Sequence, residues 1–131
     1  MLPISRINGP AATVIQGARH PITTNGDTAV RCAYVGINAV LSGFTLTNGA
    51  TRRSGDFPRE QAGGGAWGEA SGVISNCTLI GNSAFNFGGG AYKGTLNNCT
   101  LIGNSAFHGG GSYQGTLNNC TLFGNSAGNS G

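Results

Sequence analysis

The thiols have the spacing that first invites chemistry. Cys77 and Cys99 stand 22 residues apart and Cys99 and Cys120 stand 21 apart, with Cys32 alone upstream. A metal site wants two cysteines close in sequence, or a Cys/His pair, and neither occurs. His20 and His108 are isolated and build no Ser/His/Asp arrangement; His108 replaces Asn86-Phe87 of the preceding copy and reads as a turn residue. The carboxylates are Asp27, Asp56, Glu60 and Glu69. Glycoside hydrolysis needs two acids flanking one bond. Only Asp56 and Glu60 lie near each other, with Arg59 between them, and two acids make a poor calcium site. No catalytic residue, metal ligand or cofactor is expected from these side chains. Asn76-Cys77-Thr78, Asn98-Cys99-Thr100 and Asn119-Cys120-Thr121 match the N-glycosylation acceptor pattern. Stacked in strands they would be poor substrates, and the match reads as a by-product of repetition.

The regular spacing has a structural meaning. From Gly63 onward the chain runs GGGAWGEASGVISNCTLIGNSAFNF, GGGAYKGTLNNCTLIGNSAFH and GGGSYQGTLNNCTLFGNSAGNSG. A period near twenty signals a stacked solenoid. It is too short for helical hairpins, which need roughly 33 residues, and each Gly in a helix interior costs about 1 kcal/mol. The multi-leucine pattern of leucine-rich repeats is missing. Short strands with tight turns remain, so the fold expected is all-β: a right-handed, single-stranded parallel β-helix of 21–22 residues per coil, each coil with three strands and three bends.

Strand alternation sorts the side chains. Cys77/Leu79, Cys99/Leu101 and Cys120/Leu122 point inward, as do Ile74, Leu96 and Leu117. Smaller inward places fall to Ala66, Ala91 and Ser112, and to Ala84, Ala106 and Ala127. Three cysteines in one parallel column suit free thiols acting as small apolar fillers better than disulfides. Asn82, Asn104 and Asn125 recur in the GNSA turn. They are expected to form an inward amide ladder and to supply the left-handed backbone of the bend.

The units resemble the polymorphic outer membrane protein repeats, marked by GGA before an aliphatic residue and by FxxN. Gly64-Gly65-Ala66-Trp67 and Gly89-Gly90-Ala91-Tyr92 match the first mark with an aromatic in the last place, and Leu101-Ile102-Gly103-Asn104 matches the second with Leu for Phe. The wider pattern is similar to pectate-lyase-like β-helices of secreted proteins. The first resemblance implies a surface adhesin or secreted passenger; the lyase branch would need a calcium cluster and an Arg base, which the repeats lack.

One domain accounts for all 131 residues. Residues 1–49 read as worn coils, 50–62 as an inserted polar loop and 63–131 as regular repeats. In the worn part, Phe44-Thr45-Leu46-Thr47 aligns with Cys77-Thr78-Leu79-Ile80, residues 12–17 look like the same strand one coil earlier, and residues 29–35 supply another alternating strand. Phe44 to Cys77 spans 33 residues, so about eleven are extra. The loop holds Arg52, Arg53, Asp56, Arg59 and Glu60, and insertions of this kind gather on one face. Five or six coils give a stack about 25–30 Å long.

Only 8% of residues are charged, with a net charge of +3, and the repeats hold just Glu69 and Lys93. No basic stripe interleaved with aromatics suits nucleic acid. No run of 18 apolar residues spans a membrane. The first ten residues lack a signal-peptide pattern, although such repeats are expected outside the cell or on its surface. Three outward columns are the candidate binding residues: Trp67, Tyr92 and Tyr113; Ile80, Ile102 and Phe123; Phe85 and Phe107. Exposed apolar columns of this regularity exceed what a lone soluble chain tolerates, unless they serve only as self-stacking ladders. The last repeat shows no cap, and an open strand edge templates further layers.

The expected function is therefore a noncatalytic extracellular structural or adhesive solenoid. Its partners would be other copies, end to end or side by side, or a cell-surface protein or polysaccharide. The alternatives are a fragment of a polysaccharide lyase, hydrolase or carbohydrate-binding β-helix, and an ice-binding face, for which only the Thr78/Thr100/Thr121 column is evident.

Overall fold

The computed structural model describes residues 13–130. Ala12, Arg6 and the first ten residues tested for a leader lie outside the described part. Within it all regular structure is β. The strands are β1 (Val14–Gln16), β2 (Ala33–Val35), β3 (Val40–Ser42), β4 (Thr45–Thr47), β5 (Ala66–Gly68), β6 (Val73–Ser75), β7 (Thr78–Ile80), β8 (Ala91–Tyr92), β9 (Thr95–Asn97), β10 (Thr100–Ile102), β11 (Ser105–His108), β12 (Ser112–Tyr113), β13 (Thr116–Asn118), β14 (Thr121–Phe123) and β15 (Ser126–Ser130).

Every pairing between these strands is parallel and joins one coil to the next. Three sheets result, ordered β2-β5-β8-β12, β3-β6-β9-β13 and β1-β4-β7-β10-β14. The chain is a parallel β-helix. The last two coils add a fourth strip, β11-β15, because the residues after the Asn turn also pair; single bridges Ala50–Ser83 and Ser83–Ser105 continue it upward.

The register stacks like on like. Leu46, Leu79 and Leu101 pair in sequence and are fully buried. Ile74 and Leu96 form a second buried file. The strands after Cys77, Cys99 and Cys120 pair Thr78–Thr100–Thr121, which sets the three thiols in one column under Phe44. The worn coils obey the same alignment: Ile15 pairs with Leu46 and Leu41 with Ile74.

The Asn ladder forms inside the coil. Oδ1 of Asn104 accepts both the backbone N–H and Nδ2 of Asn82 at 3.0 Å. Oδ1 of Asn125 accepts the same two donors of Asn104 at 3.0 and 2.9 Å. Each Nδ2 spends its other hydrogen on a leucine carbonyl, Leu46 for Asn82, Leu79 for Asn104 and Leu101 for Asn125, at 2.8–2.9 Å. The ladder thus satisfies buried backbone that the narrow coil hides from water.

One detail differs from expectation. The left-handed residue of this bend is the glycine before each Asn, with φ of 66° at Gly81, 61° at Gly103 and 63° at Gly124. That frees the Asn to aim its amide inward. Left-handed asparagines do occur, but at the other bend: Asn76, Asn98 and Asn119, with φ of 51–54°. The three acceptor-pattern asparagines therefore sit in exposed bends rather than in strands. The glycine triplets serve close approach: a Cβ on Gly89 would lie 2.2 Å from the Ser105 carbonyl oxygen.

At the insertion, Thr51 and Ala62 are buried within the coil and residues 52–61 form the loop. Thr51 Oγ1 accepts the Phe85 N–H at 2.8 Å, and Ala62 bridges Phe87. Arg52 and Glu60 close the loop with an ion pair at 2.9 Å.

Candidate functional site

The three outward columns meet different surroundings. Trp67, Tyr92 and Tyr113 stack as the register requires, at ring separations of 5.7 Å and 6.2 Å. They are not a bare surface: Trp67 is 6% and Tyr92 5% exposed. Phe87 packs 4.4 Å from the Tyr113 ring and 6.5 Å from that of Tyr92, and Ala62 completes the cover. Phe57 of the loop meets Phe87 edge-on at 5.5 Å. A second apolar cluster therefore lies outside the coil, under the loop. Tyr34 extends the column by one coil, its ring 5.4 Å from Trp67 and 58% exposed. Its hydroxyl donates to Glu69 Oε1 at 2.7 Å, which raises the phenol above its ordinary pKa.

The second column keeps its open face. Ile80, Ile102 and Phe123 pair through β7, β10 and β14 and continue Gln16 and Thr47. Exposure reaches 72% at Phe123. The adjoining outward file is Val14, Thr45, Thr78, Thr100 and Thr121, so the outward strand residues of this five-stranded sheet are all uncharged, and Arg19 reaches its border by donating to the Gly81 carbonyl beside Ile80. Phe85 and Phe107 form the third column, and both are exposed. Gly128 falls at the next level, in contact range of the Phe107 ring, and Arg53 lies over Phe85 at 5.4 Å.

Nothing in the protein-family models, the curated proteins or the solved structures matches this chain.

The thiols, both imidazoles, Glu60 and Glu69 are engaged in local contacts. All four cysteines are free. Cys77 and Cys99 donate to backbone carbonyls, Ser75 at 3.2 Å and Asn97 at 3.4 Å. Burial raises the Cys32 and Cys77 thiols and pushes Cys99 up to about 12, away from the reactive thiolate. His20 Nδ1 accepts the Thr23 N–H within its own turn at 3.2 Å. His108 ends β11 instead of forming a turn, and stacks on Phe87 at 5.2 Å. Glu60 pairs with Arg52, and its Oε2 accepts the Asp56 N–H at 2.5 Å. Among the described residues no three His, Cys, Asp or Glu side chains gather as a metal site, and no helix is long and apolar enough to cross a membrane.

Sequence reasoning missed Tyr34, Phe87, Arg31 and Cys32 as partners in these assemblies. Tyr34 was findable: Ala33-Tyr34 repeats the small–aromatic order of Ala66-Trp67. Arg31 has no such signal. Its Nη2 donates to the carbonyls of Arg59 and Ala62 and ties the loop to the coil.

Proposed function

We propose that this chain is a noncatalytic structural module of an extracellular or cell-surface protein, acting through contacts made by its outer faces. Its first partner is another copy of itself. The observation that carries this reading is the uncharged outer face of β1-β4-β7-β10-β14, where Ile80, Ile102 and Phe123 lie in file with Phe123 72% exposed. A file of large apolar groups among uncharged strand residues favours a solid partner surface over water.

The resemblance to polymorphic outer membrane protein repeats supports adhesion as the setting. The structural contacts made by Glu60, Glu69, His20, His108 and the thiols agree with a scaffold rather than an enzyme. Negative-stain electron microscopy across a concentration series tests the reading. Filaments or side-by-side clusters that grow with concentration are expected; dispersed single particles throughout would overturn it.

A further inference from the structure

The inserted loop leaves an open cavity of about 290 Å3 where it returns to the coil, lined by Arg31, Arg52, Arg59 and Glu60 over Val30 and Ala50. Three of the seven cations of the chain thus share one lining with a single acid. That acid is already engaged. Its Oε1 holds Arg52 Nη1 at 2.9 Å and its Oε2 takes the Asp56 N–H. A guanidinium carries five N–H donors. Among the described residues, Arg31 commits only Nη2, to two loop carbonyls, and Arg52 only Nη1. The Arg59 side chain makes no hydrogen bond or ion pair there, although its charge is felt at the Tyr34 phenol.

Anchoring the loop accounts for Arg31, and closing it accounts for Arg52. Neither accounts for Arg59, nor for a lining whose formal charge is +2, from three guanidinium groups and one carboxylate. Guanidinium forks match planar or tetrahedral oxyanions with paired hydrogen bonds, and a bound anion would relieve the repulsion among like charges.

We propose that this cavity binds an oxyanion: a carboxylate, sulfate or phosphate carried on a unit no larger than one sugar ring. The volume sits at the lower edge of ligand pockets, about 300 Å3, which excludes larger ligands from full burial. Val30 and Ala50 provide an apolar floor for the carbon skeleton of such a unit. This site is independent of self-association, which uses another face.

Isothermal titration calorimetry tests it with the whole chain. The probes are sodium sulfate, sodium phosphate, galacturonate, polygalacturonate and, as a neutral control, dextran. Saturable binding of sulfate, phosphate or galacturonate is expected, with none for dextran. Binding of the inorganic ions marks a free-anion site, and preference for galacturonate marks a sugar acid. Arg59→Gln, which removes no bond of the fold, should weaken that binding about tenfold or more. Lys93→Gln removes the same charge from beside Tyr92 and should leave it unchanged. Absence of saturable oxyanion binding overturns the proposal. Equal weakening by both substitutions does so too, since that is general charge attraction. Binding of polygalacturonate without any small oxyanion also overturns it, since recognition would then run along the polymer.

Discussion

The Cys32 Sγ lies 3.5 Å from Asn82 Oδ1 and 3.2 Å from the Thr47 carbonyl, in the space that an Asn side chain fills one coil later. The worn coil reads Asn48-Gly49 where the regular coil reads Gly81-Asn82. Asn48 takes the left-handed place with φ of 58°, and Gly49 gives its N–H to Asn82 Oδ1 at 2.9 Å. The thiol stands in for the missing amide and closes the ladder at this end. A Cβ on Gly49 would lie 2.1 Å from the Gly64 carbonyl and 2.9 Å from that sulfur. Gly49→Ala should therefore cost about 2–3 kcal/mol through overpacking. Cys32→Ala should cost about 1 kcal/mol, the worth of one hydrogen bond and a small void. Urea unfolding followed by circular dichroism ranks the two.

Asn104 is the rung whose loss should hurt most. Asn104→Ala would orphan the backbone N–H of Asn82, one of the two Nδ2 hydrogens of Asn82 and the carbonyl of Leu79 in a buried setting. Each unsatisfied group costs about 1–3 kcal/mol, so a loss of about 3 kcal/mol or more is expected. Asn125→Ala, on the half-exposed last described rung, should cost less than half as much. Equal costs would mean that the ladder does not act through burial.

The thiol column makes stability depend on pH in the alkaline range. Burial holds the Cys99 thiol at about 12 in the folded chain, against an ordinary 9.0. The folded state keeps its proton where the unfolded chain has lost it. This contribution is complete below about pH 9 and is lost as pH rises towards 12. Cys32 and Cys77 shift in the same direction. The unfolding midpoint should fall over that window, and Cys99→Ala should flatten the fall. In native protein at pH 8, Cys77 and Cys99 should resist a thiol reagent while Cys120, half-exposed on the last described coil, reacts faster.

Trp67 is the single tryptophan and reports on the cluster beneath the loop. Its emission should be blue-shifted, as befits a buried indole. Phe87 packs against Tyr92, Tyr113 and His108. Phe87→Ala should cost about 3 kcal/mol and move the emission to the red as the cover opens. Emission unchanged from wild type would mean that Phe87 does not shield the column.

The file of Leu46, Leu79 and Leu101 was legible because a fixed period leaves stacked strands no other place to put their apolar side chains. The amide ladder was legible for the same reason. Its left-handed residue was not, because glycine and asparagine are neighbours in GNSA and both tolerate that backbone. The outward facing of Trp67 and Tyr92 followed from alternation, but their burial did not. Ala62 and Phe87 cover them from five residues upstream of Trp67 and Tyr92, an offset that repeats but is disguised because the stacked residues there, Ala62, Phe87 and His108, differ in type. The arginine-lined cavity was hidden too, since Arg31 and Arg59 lie 28 residues apart and meet only through the loop's return.

The reading that the uncharged sheet face joins copies of the chain is tested most directly by sedimentation velocity. Wild-type protein and an Ile80→Lys/Phe123→Lys double variant would be compared over a hundredfold concentration range. The account predicts wild-type sedimentation that speeds up with concentration and a variant that stays at the single-chain value. A wild-type chain that sediments as a single chain at every concentration would contradict it.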